Sequence, residues 1–421
     1  MTRVVITGMG IISPIGESIA EFWHHLTTGA SGIRVVTEFD TENLPVRIAG
    51  VVPSFDPLRY MDKKTAQRSS RFVQFAVAAA GQAVTDAGIP LRDMDAYRLG
   101  VVMNTGAGGM KDIADGSQKL RDRGFQHISP FMVPSLIPNM GACQVAIQHG
   151  IRGPVIASTA ACAAGIYALI EARRYLASGE VDAMIVGAAE AALMPFTFAG
   201  LARMGALSRR NHDPERASRP FDRDRDGFVF GEGSAAMVLE REDDARARGA
   251  HIYAELVGGA VTNDAYHVAA PDPTGEPAAR AIQGALQSSG LSPEDVDYIC
   301  AHGTGTILND AIETQAIKQV FGSHAYHLAI SSPKSMVGHL LGAAGMISAV
   351  TAVQTVITGV IPPTINLEHP DSACDLDYVP LVSRRQAVTT ALANGFGFGG
   401  QNGVVVLRQY CERLQTHPCS R

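Results

Sequence analysis

Three side chains in this chain sit in surroundings that suit covalent chemistry: Cys162 in STAACAAG, His302 in AHGTGT and His339 in SSPKSMVGHLLGAAG. Cys162 has only small neighbours, which leave its sulfur approachable, and the pattern puts it where a strand gives way to a helix. The partial positive charge of a helix start favours thiolate over the ordinary thiol of pKa about 8.5. Those are the requirements of an acyl-accepting nucleophile. A cysteine among alanines also suits plain core packing. His302 closes the strand VDYIC and opens a Gly-Thr-Gly-Thr turn that carries two hydroxyls. His339 follows Lys334 by five residues. Either histidine alone reads equally as structural, but both stand at strand ends lined by glycine or small residues, where layered α/β folds place ligands. Metal ligation is disfavoured, because no third His, Asp or Glu accompanies them at a ligand spacing. A fourth segment, NGFGFGGQNG, alternates Gly with Phe. Its amides could cradle an oxyanion and a ring could gate a tunnel, or it could be a glycine-rich hairpin with two core aromatics. It lacks GxGxxG and a Walker lysine, so it is not a phosphate loop.

The elements that must position these groups alternate between strand-length apolar runs and helix-length periodic ones, which predicts an α/β layered fold. The order of pieces also repeats. In the first half, RVVITGMG and RLGVVMNTGAGG precede PVIASTAACAAG, which leads into the helix GIYALIEARRYLASGE and then VDAMIVGAAEA. In the second half, HIYAELVGGA and VDYICAHGTGT precede HLAISSPKSMVGHLLGAAG, the helix GMISAVTAVQTVITG and then TTALANGFGFGG. A tandem duplication is the expectation, with chance similarity of two ordinary α/β halves as the alternative, and its seam falls near 248–251: residues 1–250 carry Cys162, and 251–421 carry both histidines and the Gly-Phe loop. The stretches 29–57 and 209–233 read as loop-rich insertions, the second too polar for core.

Composition narrows the class. The 421 residues are 46% hydrophobic and 18% charged, as in a well-packed globule. A net charge of −6 implies no bulk attraction to nucleic acid or to an anionic membrane. The six cysteines, at 143, 162, 300, 374, 411 and 419, form neither CxxC nor a disulfide framework, so a reducing cytoplasm is expected. MTRVVITGMG reads as a strand rather than a signal peptide, and no uninterrupted apolar run of about 18 residues suggests a membrane span.

Together the four segments resemble the β-ketoacyl-ACP synthase II family of condensing enzymes, members of the thiolase superfamily. The likeness runs from VVITGMGIISPIG through ISPFMVPSLIPNM, GIRGP, SRPFDRDRDGFVFGEG, DAYH and IPPTINL to GFGFGGQN. It implies a duplicated, five-layered αβαβα fold, a homodimer, an acyl carrier protein as partner, and no metal or organic cofactor. By the same resemblance Cys162 is the nucleophile and His302 and His339 are the catalytic histidines. Lys334 is an active-site lysine that pairs with Glu313. The amides of Cys162 and Phe398 make an oxyanion hole, and Phe398 with Phe396 gates the site. Thr304 and Thr306 hold the phosphopantetheine arm, and Ala107, Met110 and Met132 fall at tunnel positions. The implied reaction is decarboxylative condensation of acyl-ACP with malonyl-ACP in fatty acid elongation.

Two positions depart from the family pattern. The threonine before the nucleophile is displaced to Thr159, leaving Ala160 in its usual place, so altered local hydrogen bonding is expected. Gly205 stands where many relatives have a basic residue. Docking of an acidic carrier protein would then fall to Lys63, Lys64, Arg68 and Arg203, with Arg209 and Arg210, unless these are ordinary surface charges. The active ketosynthase subunit of a type II polyketide system is the rival enzyme reading. A chain-length factor is disfavoured by the presence of Cys162, and a thiolase by the Phe pair where a second cysteine would stand.

Overall fold

The computed structural model describes residues 2–412; the end of the second predicted half, including Cys419, lies outside that range. Five strands of the first half are β1 (Val4–Ile12), β2 (Leu99–Asn104), β3 (Val155–Ile156), β4 (Ala183–Glu190) and β5 (Gly233–Arg241). Five of the second are β6 (Ala254–Asn263), β7 (Tyr298–Cys300), β8 (Ala329–Ser331), β9 (Thr390–Gly397) and β10 (Gln401–Gln409). They form one sheet in the order β8-β7-β9-β10-β6-β1-β5-β4-β2-β3. Read outward from the centre, β1-β5-β4-β2-β3 is matched strand for strand by β6-β10-β9-β7-β8. The join is thin: β1 and β6 share only the pairs Val5–Glu255 and Ile6–Ala254. Sequence reading recovers four strands per half and misses β5 and β10.

Helices complete the layers. α1 (Arg71–Ala87) covers the outside of the first half-sheet, and α3 (Glu276–Ser289) with α4 (Ile307–Phe321) covers the outside of the second. Between the half-sheets lie α2 (Ala164–Ser178) and α5 (Ala344–Thr358), which share one apolar core with strands from both halves. α5 is buried on every side from Ala344 to Val356, including Ser348, Thr351 and Thr355, and the Thr351 and Thr355 hydroxyls donate back to the helix's own carbonyls. The segment Leu341–Thr358 is long and apolar enough to cross a membrane, but 83% of it is buried between the sheets. Contact between α2 and α5 depends on two glycines at matching positions. A Cβ on Gly165 would stand 2.4 Å from the Met346 nitrogen, and one on Gly345 would stand 2.8 Å from the Ile166 nitrogen.

The polar stretch 209–233 corrects the sequence expectation. Ser218, Arg219, Phe221, Asp222 and Arg225 are buried in it, as are the residues from Gly227 onward. Its charges go inside because they are paired there. Arg219 Nε donates to Asp222 at 2.9 Å, and Arg225 Nη1 donates to Asp371 at 2.6 Å while its Nε lies 3.6 Å from Asp310. A buried charge with a hydrogen-bonded partner avoids most of the desolvation cost of a lone one.

Candidate active site

Cys162 sits in a single helical turn, Ala161–Ala163, that runs directly into α2. Ala161 takes a left-handed backbone, φ 44°, an uncommon conformation for a side-chain-bearing residue that turns the chain sharply before the cysteine. The displaced threonine has a visible consequence: Thr159 is exposed, whereas Ala160 is buried and its carbonyl accepts from the Ala163 amide at 3.0 Å. The expectation of a helix-activated thiolate needs correction. Burial pushes the Cys162 thiol up to about 11, against the pull of the Phe398 amide, Lys334 and its own amide, while Glu190 raises it further. The sulfur carries its proton at neutral pH because desolvation outweighs the local donors.

His302 lies at the end of β7, and α4 fixes it through two carboxylates one turn apart. Glu313 accepts from the amides of His302 at 2.8 Å and Gly303 at 2.7 Å. Asp310 accepts from the amides of Thr304 at 3.0 Å and Gly305 at 3.2 Å. All four amides of the turn are thereby taken up by side chains of one helix. Sequence reading missed Asp310; the signal was a pair of acids at i and i+3 on a face that also carries Thr314 and Ile317. Asn394 was missed too, and its Nδ2 donates to Glu313 at 3.0 Å. Thr304 and Thr306 share a hydroxyl–hydroxyl hydrogen bond of 3.0 Å, and Thr306 also caps α4 by accepting from the Asn309 amide at 3.3 Å.

His339 meets His302 edge to face, with ring centroids 5.4 Å apart and an interplanar angle of 84°. Its own amide donates to the Val229 carbonyl at 2.7 Å, which ties it to the buried stretch 227–233. Burial first, and the Lys334 charge second, hold both imidazoles well below the ordinary histidine pKa, so both rings are neutral. Lys334 is itself 2% exposed, and burial lowers it as well. It does not form the expected ion pair. Glu313 spends its oxygens on three N–H groups, and the Lys334 ammonium has no hydrogen-bond partner. The two interact only as charges across the interior.

NGFGFGG is a hairpin turn as well as a site element: β9 and β10 pair across it from Phe396–Asn402 to Gly397–Gln401. The Phe396 ring lies 5.7 Å from that of His302. A cavity of about 490 Å³ is lined by Cys162, His302, His339, Thr304, Thr306, Phe396 and Phe398, among others. Lys334 and Glu313 lie behind this lining. Ala107, Met110 and Met132 do not reach it; they belong to the half-exposed stretch after β2. Of the basic candidates, Arg203 is exposed beside Met204 and Gly205, which line the cavity. Lys63, Lys64 and Arg68 are exposed on a short helix away from that lining, where Arg68 stacks 3.9 Å over Phe131. Arg210 is committed to the Asp224 carbonyl at 2.6 Å. Asp222, Asp224 and His369 cluster closely enough to suggest a metal, but none lines the cavity and Asp222 is occupied by Arg219.

Residues 1–245 match the beta-ketoacyl synthase N-terminal domain and 253–368 the beta-ketoacyl synthase C-terminal domain. The 3-oxoacyl-[acyl-carrier-protein] synthase 2 of Synechocystis sp. is 50% identical over 97% of this chain and 98% of its own. The protein of the same name from Coxiella burnetii is 45% identical over 96% and 98%. Among solved structures, a beta-ketoacyl synthase from Burkholderia phymatum superposes with a TM-score of 0.91 at 33% identity, covering 98% of this chain and all of that one. A type II polyketide ketosynthase solved with its acyl-carrier protein superposes with a TM-score of 0.90 at 35% identity, covering 97% of this chain and all of that one. With the duplicated layers, the buried thiol and the paired imidazoles already placed in one cavity, these matches establish that the chain belongs to the β-ketoacyl synthase family of condensing enzymes.

Proposed function

We propose that the chain is a 3-oxoacyl-[acyl-carrier-protein] synthase of type 2, condensing acyl-ACP with malonyl-ACP in fatty acid elongation. The observation that carries this reading is the convergence of one thiol, two neutral imidazoles and the Phe398 amide on a single cavity. In the first step the Cys162 sulfur attacks the acyl thioester, and the amides of Cys162 and Phe398 hold the oxyanion. The thiol proton ends on the departing pantetheine sulfur. In the second step malonyl-ACP loses CO₂, and the enolate oxygen accepts hydrogen bonds from the N–H groups of His302 and His339. Its carbon attacks the acyl-Cys162 carbonyl, the C–S bond breaks, and one proton from solvent restores the thiol. No metal or organic cofactor takes part. Thr304 and Thr306 line the path of the pantetheine arm, and Phe396 and Phe398 flank the sulfur as gate. Arg203 is the basic residue best placed to meet an acidic carrier protein. The fatty-acid reading is favoured over the polyketide one by the names and near full-length coverage of the 42–50% identical relatives.

We further propose a homodimer acting in the cytoplasm. The stretch between β2 and β3 leaves Ile113, Phe125, Phe131 and Val133 exposed, and the edge strand β3 leaves Val155 exposed. Apolar side chains gathered at an open sheet edge mark a protein interface. A second copy docked there would also cover Met132 and complete the tunnel that Ala107 and Met110 are expected to line. The test of the reaction is Cys162→Ala incubated with acyl-ACP and malonyl-ACP. Mass spectrometry should find no acyl-enzyme and no elongated product, with the circular dichroism of the parent retained; normal elongation would remove the assignment.

A further inference from the structure

One buried carboxylate beside the nucleophile has no part in the proposed steps. Glu190, fully buried at the end of β4, accepts from the amides of Gly106 at 2.9 Å, Gly342 at 3.1 Å and Ala107 at 3.3 Å, and from the Thr105 hydroxyl at 3.5 Å. The internal repeat identifies its position. The turn Ala161–Ala163 before α2 recurs as Leu341–Ala343 before α5, with left-handed φ of 44° at Ala161 and 42° at Leu341. Both helices then run for 15 residues, so Gly342 is the counterpart of Cys162. Likewise β4 and β9 each span eight residues and close on the next strand through Glu190–Gly233 and Gly397–Gln401, so Glu190 is the counterpart of Gly397.

The two halves treat this shared geometry in opposite ways. In the first site Gly397 keeps open the space beside the nucleophile's amide, since a Cβ there would stand 2.9 Å from the Cys162 nitrogen. In the second, the Glu190 side chain grows from the matching position and sets a carboxylate oxygen on the Gly342 amide. No nucleophile could stand at 342, where a Cβ would meet the Gly106 nitrogen at 2.2 Å. We propose that Glu190 is an internal anion filling a second oxyanion site generated by the repeat, and that it thereby acts as a positioning residue. It clamps the Thr105–Ala107 turn of the first half to the turn that leads from His339 into α5. Burial raises the Glu190 carboxyl to about 7 against the pull of its three amide donors and the Thr105 hydroxyl. The charged groups acting on the Cys162 thiol are Lys334, which lowers its pKa, and Glu190, which raises it, with the neutral rings of His302 and His339 across the cavity.

The catalytic consequence rests on the condensation reading above, whereas anion binding does not. Glu190→Ala empties a carboxylate-shaped space ringed by N–H donors, and formate is the probe. Formate should raise the Tm of this variant on the order of 2 °C while leaving the parent unmoved. Condensation by the variant should fall on the order of 100-fold and recover in part with formate. Glu190→Gln keeps the volume and removes the charge, so the midpoint of Cys162 alkylation by iodoacetamide should move to lower pH, which a packing role alone would not do. A folded Glu190→Ala indifferent to formate, or one that condenses like the parent, overturns the proposal. Should that variant not fold, Glu190→Gln decides it: an unmoved alkylation midpoint overturns it equally. Loss of the condensation reading through an active Cys162→Ala would leave the formate result standing.

Discussion

A thiol as deeply buried as Cys162 reacts only as fast as its proton can leave, because thiolate is the nucleophilic form. With the pKa raised to about 11, the thiolate fraction near neutrality is smaller than for an exposed cysteine. Alkylation of Cys162 by iodoacetamide, followed by mass spectrometry of its peptide, should therefore keep rising from pH 7 to beyond pH 9. A plateau below pH 8 would show that the helix start and the Phe398 amide outweigh burial after all. The imidazoles separate the two half-reactions. Each is neutral and offers one N–H, so His339→Ala and His302→Ala should spare acylation of Cys162 while removing a donor from the enolate. Loss of one such donor costs about 2.7–4 kcal/mol of barrier. Malonyl-ACP decarboxylation, read as CO₂ release, should thus fall on the order of 100- to 1000-fold in each variant, with acyl-enzyme still seen by intact mass. Loss of acylation to the same degree would move the histidines into the first step.

Positioning at the next scale comes from elements that occur twice. Because α2 and α5 meet through Gly165 and Gly345, a methyl group at either site presses on backbone, which cannot move aside as a flexible side chain would. Gly165→Ala should cost about 1–3 kcal/mol by overpacking. A lowered Tm in calorimetry checks it, and an unchanged Tm would mean that the helices separate without cost. The repeat was legible in sequence because each half spells the same local order: a strand, a turn of small residues, then a helix. Cys162, His302, His339, Thr304, Thr306 and Phe396, which line one cavity, were legible for the same reason, each standing beside a distinctive turn. β5 and β10 went unseen because GSAAMVLER follows a polar stretch and QNGVVVLRQ follows directly on a glycine loop, so their starts carry no local signal. The burial of 209–233 was invisible for a different reason: Arg225 finds Asp371 146 positions further along. The Lys334–Glu313 pairing failed similarly, since the amides that take up Glu313 belong to a turn whose shape only the fold defines.

At the scale of the whole molecule, the stretch between β2 and β3 gathers exposed apolar side chains. Phe125 is 74% exposed and Val133 66%, both between β2 and β3, and Val155 stands on the open edge strand itself. The same stretch holds Ala107, Met110 and Met132, the expected tunnel positions that fail to reach the cavity of one chain. If a second copy covers this face, activity and assembly should be lost together. Val133→Asp places an unpaired charge where the partner would bury it, at a cost of several kcal/mol. Analytical ultracentrifugation should find the parent as a dimer and this variant as a monomer. Elongation of long acyl chains should fall with the dimer fraction, while alkylation of Cys162, a property of one chain's own cavity, changes little. A parent that sediments as a monomer at full activity would assign the exposed apolar face to another partner and the tunnel to a single chain.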